Sequence, residues 1–160
     1  MPLLAIVLSL ALQHPTMPAG MSHEEHMKQM QKEAELKRRG ASAMGFDQEA
    51  TIHHFPATPA GGSIEVEVVD PKDEVSRGAI RAHLTELAAA FAKGDFDKPF
   101  QTHGAVPTGV PEMQRLKAAI DYKYEETPRG AAVRITTSDK AALAAVHAFL
   151  AYQGREHHAK

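Results

Sequence analysis

The sequence predicts an α+β fold, in which a four-stranded antiparallel sheet carries two helices on one face and a separate helix precedes the sheet. Three observations support this two-layer sandwich. A T-P-x-G turn occurs twice, at Thr58 and at Thr127, each time followed by a strand-like run and a helix-like run. The strand-like runs alternate apolar and mostly charged residues, which is typical of strands with one buried face. The helix-like runs each carry one apolar stripe that must be buried against another layer.

The two turns belong to an internal repeat. Residues 58–84 align with residues 127–150, with three residues absent from the second copy. The aligned pairs place turn residues on turn residues and apolar residues on apolar residues. Each copy reads as strand, turn, strand and helix, so the sequence predicts two ββα units joined by an insert. The sheet face opposite the helices carries charged side chains and is expected to face water or a polar partner.

Capping residues place the two helices of the repeat. Asp70 as N-cap and Pro71 at the first helical position predict a helix that runs to about Lys93. Either Ser138 or Asp139 can cap the second helix. The insert between the units contains Phe96 and Phe100, which we expect to hold a loop against the core, and a short helix over residues 111–119.

The remaining chain is divided into a leading segment, a helix and the main domain. Residues 1–20 contain the uncharged run Leu3 to Leu12, which has the length of a signal-peptide core, followed by a linker rich in proline. Residues 21–40 form the N-terminal helix, and residues 46–158 form the ββα-ββα domain. The leading run carries no Lys or Arg before it. We therefore expect a periplasmic or secreted protein with an atypical signal peptide, and a cytoplasmic protein is the alternative.

The N-terminal helix begins at a capping box. Ser22 is the N-cap, Glu25 stands three residues later, and three cations precede Gly40, which predicts a helix over about residues 23–39. Imidazole and thioether ligands together suit copper, and one face of this helix offers both. The alternative is a weak apolar stripe of methionines beside exposed histidines. The four residues of this face are His23, His26, Met27 and Met30.

Composition excludes several classes of function. The chain has 160 residues, ten histidines, no cysteine and a formal net charge of -2. The absence of cysteine excludes disulfides and thiolate sites, and no stripe of Lys and Arg is present to follow a nucleic acid backbone. No phosphate-binding loop, nucleophile motif or short zinc motif occurs. A binding protein is therefore favoured over an enzyme, and no catalytic residue can be assigned.

The histidines of the main domain are the strongest candidates for a site. The repeat register aligns His53 with Tyr122, so its side chain should point toward the helices. His83 and His147 each border the apolar stripe of their helix, and His103 lies in a predicted loop. Imidazoles that meet between sheet and helices would make a copper or zinc site with an open coordination position. The alternative is that each imidazole is hydrogen-bonded separately at the edge of the core.

A non-metal function is the second hypothesis. A partner or small molecule would then bind the charged sheet face or a pocket under the loop from Gly104 to Pro111, and the chain would be a possible homodimer. The last histidines, His157 and His158, read as a frayed and solvated end.

Several motifs of the main domain resemble a known group of proteins. IHHF, AIRAHL, GDFDKPF, GVPEMQRLK, VRITT and ALAAVHAFLAYQ together resemble an uncharacterised family of small, often exported bacterial proteins. The resemblance covers roughly residues 44–157 and implies that His53, His83, His103 and His147 lie in characteristic motifs of that group. It carries no activity, cofactor or binding residue over to this chain. Members of that group extend past the position at which this chain stops.

Overall fold

The computed structural model describes residues 22–157. The predicted signal peptide, the linker after it and His158 lie outside this range. The chain forms two compact units that divide after Glu33. Helix α1 (His23–Met44) begins in the first unit, and its beginning is the part of that unit that the structure describes. The second unit contains the sheet and the other helices.

Helix α1 begins as predicted and ends later. The Glu25 backbone N–H donates to Ser22 Oγ at 3.2 Å, and the Glu25 carboxylate accepts from the Ser22 backbone N–H at 2.9 Å, which confirms the capping box. The predicted end before Gly40 is wrong, because a glycine inside a helix costs only about 1 kcal/mol and does not end it. The helix instead runs to Met44 and is followed by Gly45, which has a φ of 77° and the left-handed conformation common after helix ends.

The sheet is antiparallel and has five strands in the described part of the chain, so the predicted count of four is wrong. Its order is β1-β3-β5-β4, and the short β2 also pairs with β3. The first predicted strand is broken at Pro56, which has no N–H to donate to the neighbouring strand. The strands are β1 (Thr51–His54), β2 (Ala57–Thr58), β3 (Gly61–Val68), β4 (Asp121–Thr127) and β5 (Gly130–Thr136).

Four further helices and one short turn complete the described chain. None of the helices between residues 22 and 157 is long and apolar enough to cross a membrane. The elements are α2 (Glu74–Ala92), α3 (Asp97–His103), α4 (Val110–Arg115), a 3₁₀ turn (Lys117–Ala119) and α5 (Lys140–Glu156).

The caps of α2 and α5 differ in how well they were predicted. Asp139 caps α5, because its carboxylate accepts from the backbone N–H groups of Ala141 and Ala142 at 2.8 and 2.9 Å. The predicted N-cap of α2 is wrong. Asp73 caps that helix instead, since it accepts from the Ser76 backbone N–H, whereas Asp70 closes a local turn by accepting from a backbone N–H two residues on.

The core lies between the sheet and helices α2 and α5. The inward side chains of β3 and β5 form one buried cluster with the apolar stripes of both helices. This burial is the main stabilising contribution to the unit, at about 1.5–3 kcal/mol for each fully buried large apolar side chain. The largest side chains in the cluster include Phe91, Phe149, Ile80, Leu84, Val66 and Val133.

The insert packs on the core through one of its two phenylalanines. The Phe96 ring stacks on Phe91 with 4.3 Å between ring centroids, as predicted. The prediction for Phe100 is wrong, because that side chain is 48% exposed on the outer side of α3. His103 is also not in a loop. It is the last residue of α3, which ends at Gly104 in the left-handed conformation.

Candidate binding cleft

A cleft opens between the inner face of the sheet and helices α2, α3 and α5. It contains about 460 Å³ of empty space, counting the part that is open to solvent. Its apolar walls include Phe55, Val66, Leu84, Leu87, Phe91 and Phe149, and four histidines line it as well: His53, His83, His103 and His157.

Strand β1 places His53 at the wall of the cleft. Thr51 and His53 are buried, whereas Ile52 and His54 between and after them are only half-buried, as the alternation of a strand requires. The His53 side chain is 8% exposed, which confirms the prediction that it points toward the helices. His54 pairs with Glu65 in the strand register.

Burial controls the chemistry of His53. Desolvation, with smaller contributions from the nearby His83 and His54, lowers the pKa of His53 from its ordinary value of 6.5 to about 4, so the ring is neutral at pH 7. A neutral imidazole has one N–H donor and one acceptor nitrogen. The buried Nε2 of His53 has no hydrogen-bond partner among residues 22–157. A buried polar atom without a partner costs about 1–3 kcal/mol, so a ligand atom that bonded to it would recover that free energy.

Helix α2 adds His83 to the same wall. Burial and, to a smaller extent, the Lys98 ammonium lower the pKa of His83 to about 4, while Glu86 acts in the opposite direction. The Phe46 ring contacts both buried histidines, with centroids 6.2 Å from His53 and 5.7 Å from His83. The imidazoles of His53 and His83 therefore both pack against the apolar Phe46 ring.

The end of α5 brings a histidine that was predicted to be solvated. The His157 ring stacks on His53 with 5.2 Å between centroids and 18° between planes, and it meets His103 edge-on at 5.0 Å. The prediction of a frayed end is therefore wrong for His157. The Nε2–H of His103 donates to Oε1 of Gln153 at 2.7 Å, which fixes the third ring. The three imidazoles form a continuous row across the cleft.

His147 lies elsewhere. Its Nε2–H donates to the Thr58 backbone carbonyl at 2.9 Å and ties α5 to β2. It does not line the cleft, so the structure brings together two of the three principal predicted histidines and not the third. Helical rotation explains the difference, because Phe149 and Gln153 share a stripe with His157 at steps of four residues, whereas His147 is two residues from that stripe. This spacing is the sequence signal that would have found His157.

The arrangement of the rings bears on metal binding. Between residues 22 and 157, no group of three or more His, Asp or Glu side chains is arranged to hold a metal ion. Two imidazoles that bind one ion both direct a nitrogen toward it, at about 2.0–2.1 Å for zinc. His53 and His157 instead present their ring faces to each other. A shared ion would require at least one ring to rotate.

The predicted auxiliary ligands on α1 are on the solvent-facing part of the first unit. His23 is exposed, His26 is half-buried, and Met27 and Met30 are each 43% exposed. Their spacing places all four on one helix face. Exposure of this kind fits both the copper hypothesis and the apolar-stripe alternative.

The charged face of the sheet is neutralised by its own residues. Arg134 donates to Glu65 at 2.8 Å and to Glu125 at 3.0 Å, and Lys123 lies 3.2 Å from Glu125. Glu65 on β3 and Arg134 on β5 therefore form an ion pair across neighbouring strands. Because these charges satisfy one another, the face offers a partner less uncompensated charge than the sequence suggested.

The loop after α3 packs closely on α5. Gly109 has a φ of 90°, and a Cβ at this position would lie 2.3 Å from the Ala145 carbonyl oxygen. None of residues 104–111 lines the cleft described above, whose nearest wall on this side is α3.

Comparison with known proteins identifies no relative: no family model matches the chain, and no curated protein or solved structure matches it. The function must therefore be inferred from the cleft itself.

Proposed function

We propose that the chain is a binding module that holds a small organic molecule in the histidine cleft. The observation that carries the proposal is the Nε2 atom of His53. It is buried at the wall of the cleft and has no hydrogen-bond partner in the described part of the chain. A ligand that supplies this hydrogen bond removes the penalty of the buried nitrogen, and its apolar part covers the phenylalanine and leucine side chains around it.

The cleft is held in place before a ligand arrives. His53 is fixed by the strand register, with Val66 as its partner in β3. Gln153 holds the His103 ring, and Phe55 packs against His157 with 5.5 Å between ring centroids. Rigid aromatic walls of this kind favour a flat ligand, because little conformational entropy is lost on binding.

Imidazole NMR with small aromatic compounds tests the proposal. We expect 2-naphthoate or 2-naphthamide to shift the signals of His53, His83, His103 and His157 while leaving those of His147 in place. His53→Phe should abolish these shifts. His54→Phe, on the same strand with its side chain on the opposite sheet face, should leave them unchanged. If neither compound shifts the cleft imidazoles, the proposal is wrong.

A transition metal such as copper or zinc is the second candidate ligand. The contact of His157 with both His53 and His103 favours it, because imidazoles are good ligands for these ions. Zinc and copper titrations of wild type, His53→Phe and His157→Phe decide between the candidates. His147→Phe is the matched control. A stoichiometry that stays the same in all four proteins excludes a metal site in the cleft.

Three proposals concern the chain as a whole. We propose that it is exported, on the evidence of the uncharged run Leu3 to Leu12, and that its two halves derive from one ββα unit, on the evidence of the aligned T-P-x-G turns. N-terminal sequencing of the mature protein after fractionation tests export. Light scattering tests the accompanying proposal of a homodimer.

A further inference from the structure

The polar groups that line the cleft indicate the chemical class of its ligand. Besides the four histidines, its polar lining consists of the Lys98 ammonium, the Thr102 hydroxyl and the Gln153 amide. Lys98 and Gln153 can donate hydrogen bonds, whereas the Thr102 hydroxyl already donates to the Lys98 backbone carbonyl at 3.0 Å. None of the acidic side chains in residues 22–157 lines the cleft. Resting on the function proposed above, we propose that the ligand is an organic anion with one carboxylate and a compact, ring-bearing apolar body.

Lys98 supplies the positive charge at the edge of the cleft. The residue lies on α3, and its Nζ donates to Oε2 of Glu86 on α2 at 2.8 Å. The Lys98 side chain is 32% exposed and that of Glu86 is 66% exposed, so the carboxylate is the more solvated partner. An ammonium group has three donors, and Glu86 uses one of them. The other donors are available to a ligand carboxylate.

The orientation of the ligand follows from the cost of burying charge. A carboxylate buried without a paired charge loses its hydration, and this loss is recovered only by close opposite charge and hydrogen bonds. The carboxylate therefore lies at the Lys98 edge. The ring lies deeper, against Phe55, Phe91 and Phe149, beside the wall that contains His53.

An organic cation fits the same lining poorly. It would approach the Lys98 ammonium and find no carboxylate in the cleft to offset the repulsion. Lys98 is close enough to His83 for its ammonium to lower the pKa of that imidazole, although burial has the larger effect and Glu86 acts in the opposite direction. An anion gains from the same field.

The experiment compares two ligands of the same shape and two variants that break the same ion pair. Calorimetry measures the affinities of 2-naphthoate and 2-naphthamide for wild type, Lys98→Gln and Glu86→Gln. We expect wild type to bind the carboxylate more tightly. Lys98→Gln should lower the affinity for 2-naphthoate about fivefold or more and change the affinity for 2-naphthamide less than about twofold. This is the effect expected for the loss of one charge-assisted hydrogen bond. Glu86→Gln should retain or strengthen binding of the carboxylate.

The outcomes separate this inference from the function on which it rests. Equal affinities of wild type for the two ligands overturn the anion class and leave the binding function standing. Equal losses of affinity for 2-naphthoate in Lys98→Gln and Glu86→Gln also overturn the anion class. Such losses would come from breaking the ion pair and not from removing the ammonium. Failure of both ligands to bind contradicts the binding function itself. Lys123→Gln, on the opposite face of the sheet, is the charge-matched control and should match wild type.

Discussion

Acid should destabilise this fold through its buried histidines, and His53→Phe should remove one of the two contributions. In the unfolded chain a histidine has a pKa near 6.5, whereas the pKa values of His53 and His83 in the fold are about 4. Between these pH values only the unfolded chain binds the proton, so the free energy of unfolding falls as the pH falls from 6.5 to 4. A difference of about 2.5 pH units corresponds to about 3 kcal/mol for each histidine, at 1.36 kcal/mol per unit.

Urea denaturation of wild type and His53→Phe between pH 7 and pH 4 measures this effect. At pH 7 the two proteins differ by whatever the substitution does to packing and to the buried nitrogen. Between pH 7 and pH 4 we expect the free energy of unfolding of wild type to fall by about 3 kcal/mol more than that of His53→Phe. Carboxylates whose pKa is lowered by hydrogen bonds, such as Glu25 and Asp73, destabilise both proteins alike and cancel. His54→Phe should follow wild type, and a difference between wild type and His53→Phe that stays constant across the range would show that the fold does not lower the pKa of His53.

Four further predictions concern stability and are measured by thermal and urea unfolding. Asp139→Ala should destabilise the fold by about 1 kcal/mol, since it removes two hydrogen bonds at the start of α5, whereas Ser138→Ala should have little effect; equal losses would contradict the assigned cap. Gly109→Ala should cost more than about 2 kcal/mol because the new Cβ meets a backbone oxygen at 2.3 Å. Gly154→Ala, in open space on α5, should instead stabilise by about 0.5–1 kcal/mol. Tyr122→Phe should be neutral or stabilising, because its buried hydroxyl has no hydrogen-bond partner among residues 22–157, and a loss above about 1 kcal/mol would reveal one.

Much of the fold could be predicted from the sequence because its signals are local. Alternation along β1 and β3 depends on a period of two, and the capping box of α1 depends on residues three apart, so both were found. Asp70 and Gly40 misled for a related reason. Asp70 favours the start of a helix, but Asp73 caps α2 three residues later. Gly40 favours the end of a helix, but α1 continues to the residue before Gly45.

The site was only partly predictable because it depends on how separate elements meet. The inward direction of His53 follows from strand register and was predicted correctly. His83 also reaches the cleft, but the sequence could not tell that His147 would turn to Thr58 while His157 turned to His53. Those directions depend on the rotation of α5 about its axis against the sheet. Tertiary packing fixes that rotation.

A crystal structure of the protein grown with 2-naphthoate tests ligand binding in the histidine cleft directly. We expect electron density for the naphthyl ring between the phenylalanine walls of the cleft, with the carboxylate beside Lys98 and the imidazoles of His53 and His103 along its edge. Density for the ligand on the charged face of the sheet around Arg134, with the histidine cleft closed, would contradict binding in the cleft.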